Sequence, residues 1–340
     1  PSYTQEPASR IPEPTLISNV VARLEGRSDP NRVYVVSGHY DSRATDVMDA
    51  ESDAPGADDD ASGVAIAMEL ARIMATRRPA ATILFAAVAG EEQGLYGAAF
   101  LARTLKAEGA DVQGMFTDDI VGASRADDGT KDGRSVRLFV QGLPPSEDES
   151  TSATRVAIGG ENDSPARQLG RFVTEVADPA RTGTEVRLVY RLDRYLRGGD
   201  HRPFLEEGFP AARFTEPNED FAHQHQDVRV EDGQQFGDLP EFCDFGYIAR
   251  VARVNAAAIW SLAQCPGTPT DVEVDTSELS NDTVLRWGPA SGDADGEVAS
   301  YEVVWRPTDE PLWQRVINVR GGAAARQARI DLSKDNVVFG

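Results

Sequence analysis

The sequence predicts an α/β domain over residues 1–266, with a mixed, mostly parallel sheet sandwiched between helices. A small, truncated C-terminal β-sandwich is expected to follow over residues 267–340. Three observations carry this. Apolar runs and helical periodicities alternate through the first 265 residues, as in successive βαβ units. Runs such as "ATILFAAVAG" (81–90) lack polar alternate positions, so they belong to strands buried on both faces. At "AQCPGTPTDVEV" (263–274) helical periodicity stops and short alternating strands begin.

The elements follow in order. "RVYVVSGHYDS" (32–42) is a short apolar strand that ends in polar residues. "ASGVAIAMELARIMATRR" (61–78) carries Val64, Met68, Ala71 and Met74 at helical spacing. "ATILFAAVAG" is the next strand, and "YGAAFLARTLKAEG" (96–109) is a helix closed by Gly109. "VQGMFTDDIVG" (112–122) and "RSVRLFVQG" (134–142) read as strands. "SPARQLGRFVTEVA" (164–177) is a helix with Ser164 as N-cap and Pro165 at its first position. "EVRLVYRL" (185–192) and "FPAARFTEP" (209–217) are further strands, and a helix over 244–264 ends the domain. Beyond the Pro-Gly-Thr-Pro linker, "TDVEVD", "TVLRW", "SYEVVWRP" and "WQRVINV" are short strands between turn signals. This part resembles a fibronectin type III module, with Trp287 on an inner strand and Tyr301 opening another. "NVVFG" (336–340) reads as the start of a late strand, so the sandwich is expected to be incomplete, with an unpaired edge. "DADGEV" (293–298) lacks the downstream Glu of a calcium loop and reads as a polar hairpin turn.

The bulk numbers narrow the function. A chain of 340 residues that is 40% hydrophobic and 26% charged builds a packed core. A net charge of −22 with no basic face argues against a nucleic-acid partner. No run of 18 apolar residues exists, so no transmembrane segment is expected. The chain begins at Pro1 without Met, as expected of a processed or trimmed protein. Its two cysteines, Cys243 and Cys265, flank the last helix. A helix of that length spans roughly 33 Å, against the ~7 Å reach of a disulfide, so the two are not expected to pair. Two cysteines also exclude a cysteine-ligated zinc site and a disulfide scaffold.

Chemistry concentrates at strand ends. His39 closes one strand, and Asp58, Asp59 and Asp60 precede the first long helix. Glu91 and Glu92 close the next strand, Asp118 and Asp119 interrupt another, and His223 and His225 follow the last in "HQHQD". Any one of these alone is ordinary surface or cap chemistry. Together they bring carboxylates and imidazoles to the edge where open parallel sheets bind ligands. Mixed His and carboxylate donors suit zinc best, with manganese or cobalt as alternatives. No G-x-S-x-G element occurs, and neither cysteine lies near these segments, so a covalent nucleophile is disfavoured.

"GHYDS", "PGADDDASGVAIAMELAR", "AGEEQGLYGA", "DDIVG", "GGDHRPFLEEGFPA" and "HQHQD" resemble, in order and spacing, the M28 family of zinc aminopeptidases over about residues 15–265. The resemblance implies the zinc exopeptidase fold, two adjacent zinc ions and a peptide or protein substrate. It implies that His39 and Asp119 ligate one ion, that Asp59 bridges both, and that Glu92 ligates the other with one of His223 and His225. Family spacing points to His223, four residues before Asp227, while the Gln-flanked "QHQD" core points to His225. Glu91 would be the general base. Asp41 would orient the His39 imidazole, and Asp200 and His201 would buttress a ligand or form the substrate wall. Two adjacent cations can share an activated water and polarise a carbonyl, with a base beside a ligand to move the proton.

An aminopeptidase is the leading reading. A carboxypeptidase or other amide hydrolase on the same scaffold is the alternative, kept open by Arg191, Arg194 and Arg197, which could hold a terminal carboxylate. A non-catalytic binding module would have lost ligands or base, and here each position holds a suitable residue. The C-terminal module is expected to bind an unknown surface or protein, and the domain pair suggests an extracellular or periplasmic setting.

Overall fold

A seven-stranded sheet organises the larger part of the molecule. The computed structural model describes residues 1–290 and 298–340, so most of the "DADGEV" turn lies outside the described residues. Two compact units are present: Pro1–Gly26 with Pro30–Ala263, and Arg27–Asp29 with Gln264–Gly340. The first carries β1 (Ser2–Gln5), β2 (Thr15–Ser18), β3 (Val20–Leu24), β4 (Asp29–His39), α1 (Ala61–Met74), β5 (Ala81–Val88), α2 (Tyr96–Ala107), β6 (Asp111–Asp118) and β7 (Ser135–Val140). It continues with α3 (Glu149–Ala157), α4 (Pro165–Val176), α5 (Pro179–Thr182), β8 (Glu185–Val189), α6 (His201–Glu206), β9 (Ala211–Thr215), β10 (Arg229–Glu231), β11 (Gln234–Phe236) and α7 (Phe245–Gln264).

The sheet order is β3-β5-β4-β6-β9-β7-β8. β4–β6, β6–β9 and β7–β8 pair parallel, whereas β3–β5 and β7–β9 pair antiparallel, so the sheet is mixed. Successive β4 residues face opposite ways and fill two different cores. Tyr34 and Val36 pack with α1, α4 and α7 residues such as Leu70, Val173 and Val254. Val33 and Val35 pack with α2 and α6 residues such as Leu101 and Phe204. Both faces are therefore covered, which is why β5 carries no polar stripe. β1, β2 and β3 precede the first strand that the apolar pattern predicts; they are four to five residues long and mostly exposed, so their signal is weak.

The face that α1 buries differs from the predicted stripe. Ser62, Ile66 and Leu70, with Gly63, Ala67 and Met74, face inward, and Met68 is 68% exposed. Gly63 explains the rotation. A Cβ there would meet the Asp118 carbonyl oxygen at 2.1 Å, so the first turn lies directly on the end of β6. Counting only large apolar residues overlooked this small-residue face.

The second unit has β12 (Glu273–Val274), β13 (Thr283–Arg286), β14 (Glu302–Pro307), β15 (Arg315–Asn318), β16 (Gln327–Ile330) and β17 (Val337–Phe339). They form two antiparallel three-stranded sheets, β12-β13-β16 and β15-β14-β17. Leu285, Trp287, Tyr301, Val303 and Ile330 build one core between them, with the Trp287 and Tyr301 rings 5.5 Å apart. "NVVFG" supplies β17, which pairs with β14 as the outer strand of its sheet. Both cysteines are free thiols.

Candidate metal centre

Four strands deliver their ends to one place. β4 ends at His39, β5 runs into Glu91 and Glu92, β6 into Asp119, and the loop after β9 carries His225. Asp60 ties β4 to α1: its carboxylate accepts the His39 N–H at 2.9 Å and, as the helix N-cap, the Gly63 N–H at 3.1 Å. Asp238 accepts the N–H groups of Asp58 and Asp59, both at 2.8 Å, and so fixes the loop from the other side. The positions of His39 and Asp59 are thus set by backbone contacts, independent of their own side chains.

Two donor clusters result, and Asp59 belongs to both. Potential ligand atoms of His39, Asp59 and Asp119 lie within 4.8 Å of one another, as do those of Asp59, Glu92 and His225. Asp59 Oδ1 is 3.0 Å from His39 Nε2, and its Oδ2 is 2.9 Å from His225 Nε2. His225 Nε2 is also 2.8 Å from Glu92 Oε1. All of these residues except His225 are at least nine-tenths buried.

Such burial would neutralise lone carboxylates, and the pairing decides otherwise. Burial pushes Asp59 up, but His225 and His39 outweigh it and hold its carboxyl well below the usual range. Burial opposes charge on His225 too, yet Asp59 and Glu92 push it up to about 9. His39 is held well above its ordinary value against burial, chiefly by Asp59 and Asp60. Burial keeps Glu91 well above the carboxylate range; His39 opposes this, and Asp119, Asp200 and Glu92 add to it. Protons on the two imidazoles therefore hold the acids together. Divalent cations between the same oxygen and nitrogen atoms would replace those protons, so the donor set fits metal.

The surrounding residues have distinct parts. The Asp41 carboxylate accepts the N–H groups of Glu91 and Glu92 at 3.2 and 3.1 Å. The hydrogen-bond partner of His39 Nδ1 is the Asp41 carbonyl at 3.0 Å, while the Asp41 carboxylate is 3.8 Å away. His223 lies outside both clusters, stacked on Phe242 at 3.6 Å and 3.4 Å from Asp220. Asp118 turns to Asn255 Nδ2 at 2.7 Å. Asp200 and His201 are buried and absent from the cavity wall. Asp200, pushed up to about 7 by burial, has both oxygens without a hydrogen-bond partner among the described residues, and His201 Nε2 contacts the Leu192 carbonyl at 2.8 Å. Arg191 stacks on Tyr195, and Arg194 pairs with Glu219 at 2.6 Å.

Sequence reasoning missed Asp60 and Asp238 as clamps, and also Gln224 and Arg213. Gln224 donates to Asp59 Oδ2 at 2.9 Å. Arg213, inside fully buried β9, pairs with Asp119 at 2.6 Å and Asp193 at 2.8 Å. A charged residue within an apolar strand was the available signal for Arg213. The cavity over the centre, about 320 Å³, is lined by Asp59, Glu91, Glu92, Asp119 and His225, by five arginines, and by Leu95 and Leu196.

Comparison with known proteins adds the lineage. The profile described as "Peptidase family M28" matches residues 19–231. A probable zinc metalloprotease of Pyricularia oryzae is 60% identical over 343 residues, covering all of this chain and 68% of that protein. The aminopeptidase from Aneurinibacillus sp. strain AM-1 superposes with a TM-score of 0.50 at 23% identity, over 73% of this chain and 48% of its own. The glutaminyl cyclase of Fimbriiglobus ruber does so with a TM-score of 0.54 at 18% identity, over 76% and 80%. At those identities the two structures speak to the fold.

Proposed function

The chain belongs to peptidase family M28, and on that premise we propose that it is an aminopeptidase hydrolysing N-terminal peptide bonds with two zinc ions and Glu91 as general base. The observation that carries the reading is Asp59, whose two carboxylate oxygens face two separate donor clusters. His39 and Asp119 would hold one ion, Glu92 and His225 the other, and Asp59 both. Bound zinc would supply Lewis acidity at the scissile carbonyl and an acidified water.

The chain's own residues do the rest. Glu91 lines the cavity beside Glu92, and its carboxyl is tuned upward, as suits a group that takes a proton and returns it. Its Oε atoms would accept a proton from the attacking water and deliver it to the leaving amine. Asp41 holds the Glu91 and Glu92 amides, so base and ligand keep one relative orientation. Arg213 and Gln224 hold the Asp119 and Asp59 carboxylates against rotation.

Metal analysis and kinetics on an aminoacyl-anilide test this together. Two zinc ions per chain are expected, with activity lost in chelator and restored by zinc. Glu91→Gln should keep both ions and lose roughly 10²–10⁴ in turnover, the usual range for removing a general base. Full activity in excess chelator, or wild-type turnover by the variant, would sink the mechanism. Action at a free C-terminus is the second reading, favoured by the arginines of the cavity wall. An N-blocked peptide separates the two.

A further inference from the structure

Five of the fifteen residues lining the cavity are arginines, in a chain whose net charge is −22. Two are committed elsewhere: Arg194 to Glu219, and Arg213 to Asp119 and Asp193. The other three, Arg10, Arg43 and Arg197, form no ion pair among the described residues. Arg10 Nη1 donates to the Glu92 carbonyl at 2.8 Å, beside one donor cluster. Arg43 donates to the carbonyls of Ala44 and Thr45 at 3.1 and 2.6 Å. Arg197 donates to Gln224 Oε1 at 3.2 Å and lies 3.3 Å from His225 Nδ1. All three guanidiniums therefore use only part of their donor fork, on carbonyl and amide oxygens.

Charge balance says what the rest of each fork is for. The wall's carboxylates are Asp59, Glu91, Glu92 and Asp119. Two divalent cations would offset all four, so the three guanidiniums are not needed to neutralise the centre. On the wall itself they are the charges that neither an acid nor a cation would offset. The wall's aliphatic side chains are Leu95 and Leu196, so a large apolar side chain finds little cover there.

We infer that this cavity selects a peptide bearing a carboxylate close to the scissile bond, with Arg10, Arg43 and Arg197 as specificity residues. The inference rests on the exopeptidase reading above and names its substrate class: acidic. An arginine fork binds a carboxylate through paired, charge-assisted hydrogen bonds, and an uncharged isostere forfeits them. The carboxylate comes from an N-terminal Asp or Glu side chain or from a nearby chain terminus, and the test separates these sources.

The zinc-loaded full chain is assayed on glutamyl-, aspartyl-, glutaminyl- and leucyl-anilides. The expected kcat/KM ratio of glutamyl over glutaminyl is roughly ten- to a hundredfold, shrinking as salt is added. It should fall toward unity in Arg43→Gln and in Arg10→Gln. Because the ratio is taken on one preparation, incomplete folding or metal loading cancels. A second arm compares an N-acetyl dipeptide with its C-terminal amide. Preference for the free acid, lost in the same variants, makes the chain terminus the source and replaces the aminopeptidase reading. A third arm measures calorimetric binding of glutamate against glutamine, with and without zinc. Equal kcat/KM for glutamyl and glutaminyl substrates with equal binding of the two amino acids overturns the inference and leaves the aminopeptidase standing. If no anilide is cleaved, the aminopeptidase reading fails, and the difference between glutamate and glutamine binding decides the carboxylate site by itself.

Discussion

At the scale of single residues, Glu91 and Glu92 sit side by side in the turn after β5 and yet have different surroundings. Glu92 meets His225, while Glu91 keeps a raised carboxyl on the cavity wall. The two histidines of "HQHQD" diverge as well, His225 toward Asp59 and His223 toward Phe242. His225→Ala is therefore expected to lose one metal ion per chain and most of the activity, whereas His223→Ala keeps both ions. Elemental analysis of the two proteins checks this, and equal metal content in both would refute it. Asp118 gives a pH prediction. Burial pushes its carboxyl up to about 8, against the hydrogen bond from Asn255, from an ordinary value near 4. Between about pH 4 and 8 the unfolded chain has released this proton and the folded chain still holds it. Asp118 therefore contributes a loss of stability that grows as pH rises through that window and levels off above it. Asp118→Asn should remove the loss, so in chelator the variant gains far more on the native chain at pH 8 than near pH 4.5. Urea unfolding midpoints at the two pH values measure this; a constant difference would refute it.

At the scale of elements, α1 is what the site leans on. Its N-cap holds the His39 backbone, and its first turn rests on the end of β6, which runs into Asp119. The docking needs Gly63, because a methyl group there would collide with backbone at 2.1 Å. Gly63→Ala should cost about 1–3 kcal/mol, as overpacking does, and loosen metal binding while leaving Asp59 itself intact. Thermal unfolding and zinc titration read the two effects; a variant as stable as the parent with unchanged affinity would show that the contact is not tight. The strands β4 and β5 were legible because burial on both faces writes an apolar run, Val33–Val36 in one and Ile83–Val88 in the other. The buried face of α1 was not, because Ser62 and Gly63 face inward for reasons of space. β3 was missed because a largely exposed five-residue edge strand writes little pattern.

At the scale of the whole molecule, the two units have cores that share no residue. The candidate metal donors all belong to the larger unit. Zinc linkage should therefore act on that unit, adding about 2.7 kcal/mol per site at a hundredfold excess over Kd. Differential scanning calorimetry with and without chelator is expected to move the transition of the sheet unit upward with zinc, and a transition insensitive to zinc would rule out the linkage. The kinds of chemistry were readable in the chain itself, since acids and histidines recur where apolar runs stop, and strand ends converge in any open α/β sheet. The partners of those residues were settled by folding alone. Which imidazole of "HQHQD" faces Asp59 and which arginines of the cavity wall form ion pairs depend on side chains far apart in sequence: Asp59 meets Gln224 and His225, Asp119 meets Arg213, and Arg194 meets Glu219. Periodicity reports the environment of a residue along its own element. Distance and charge between elements arise only when the sheet brings their ends together.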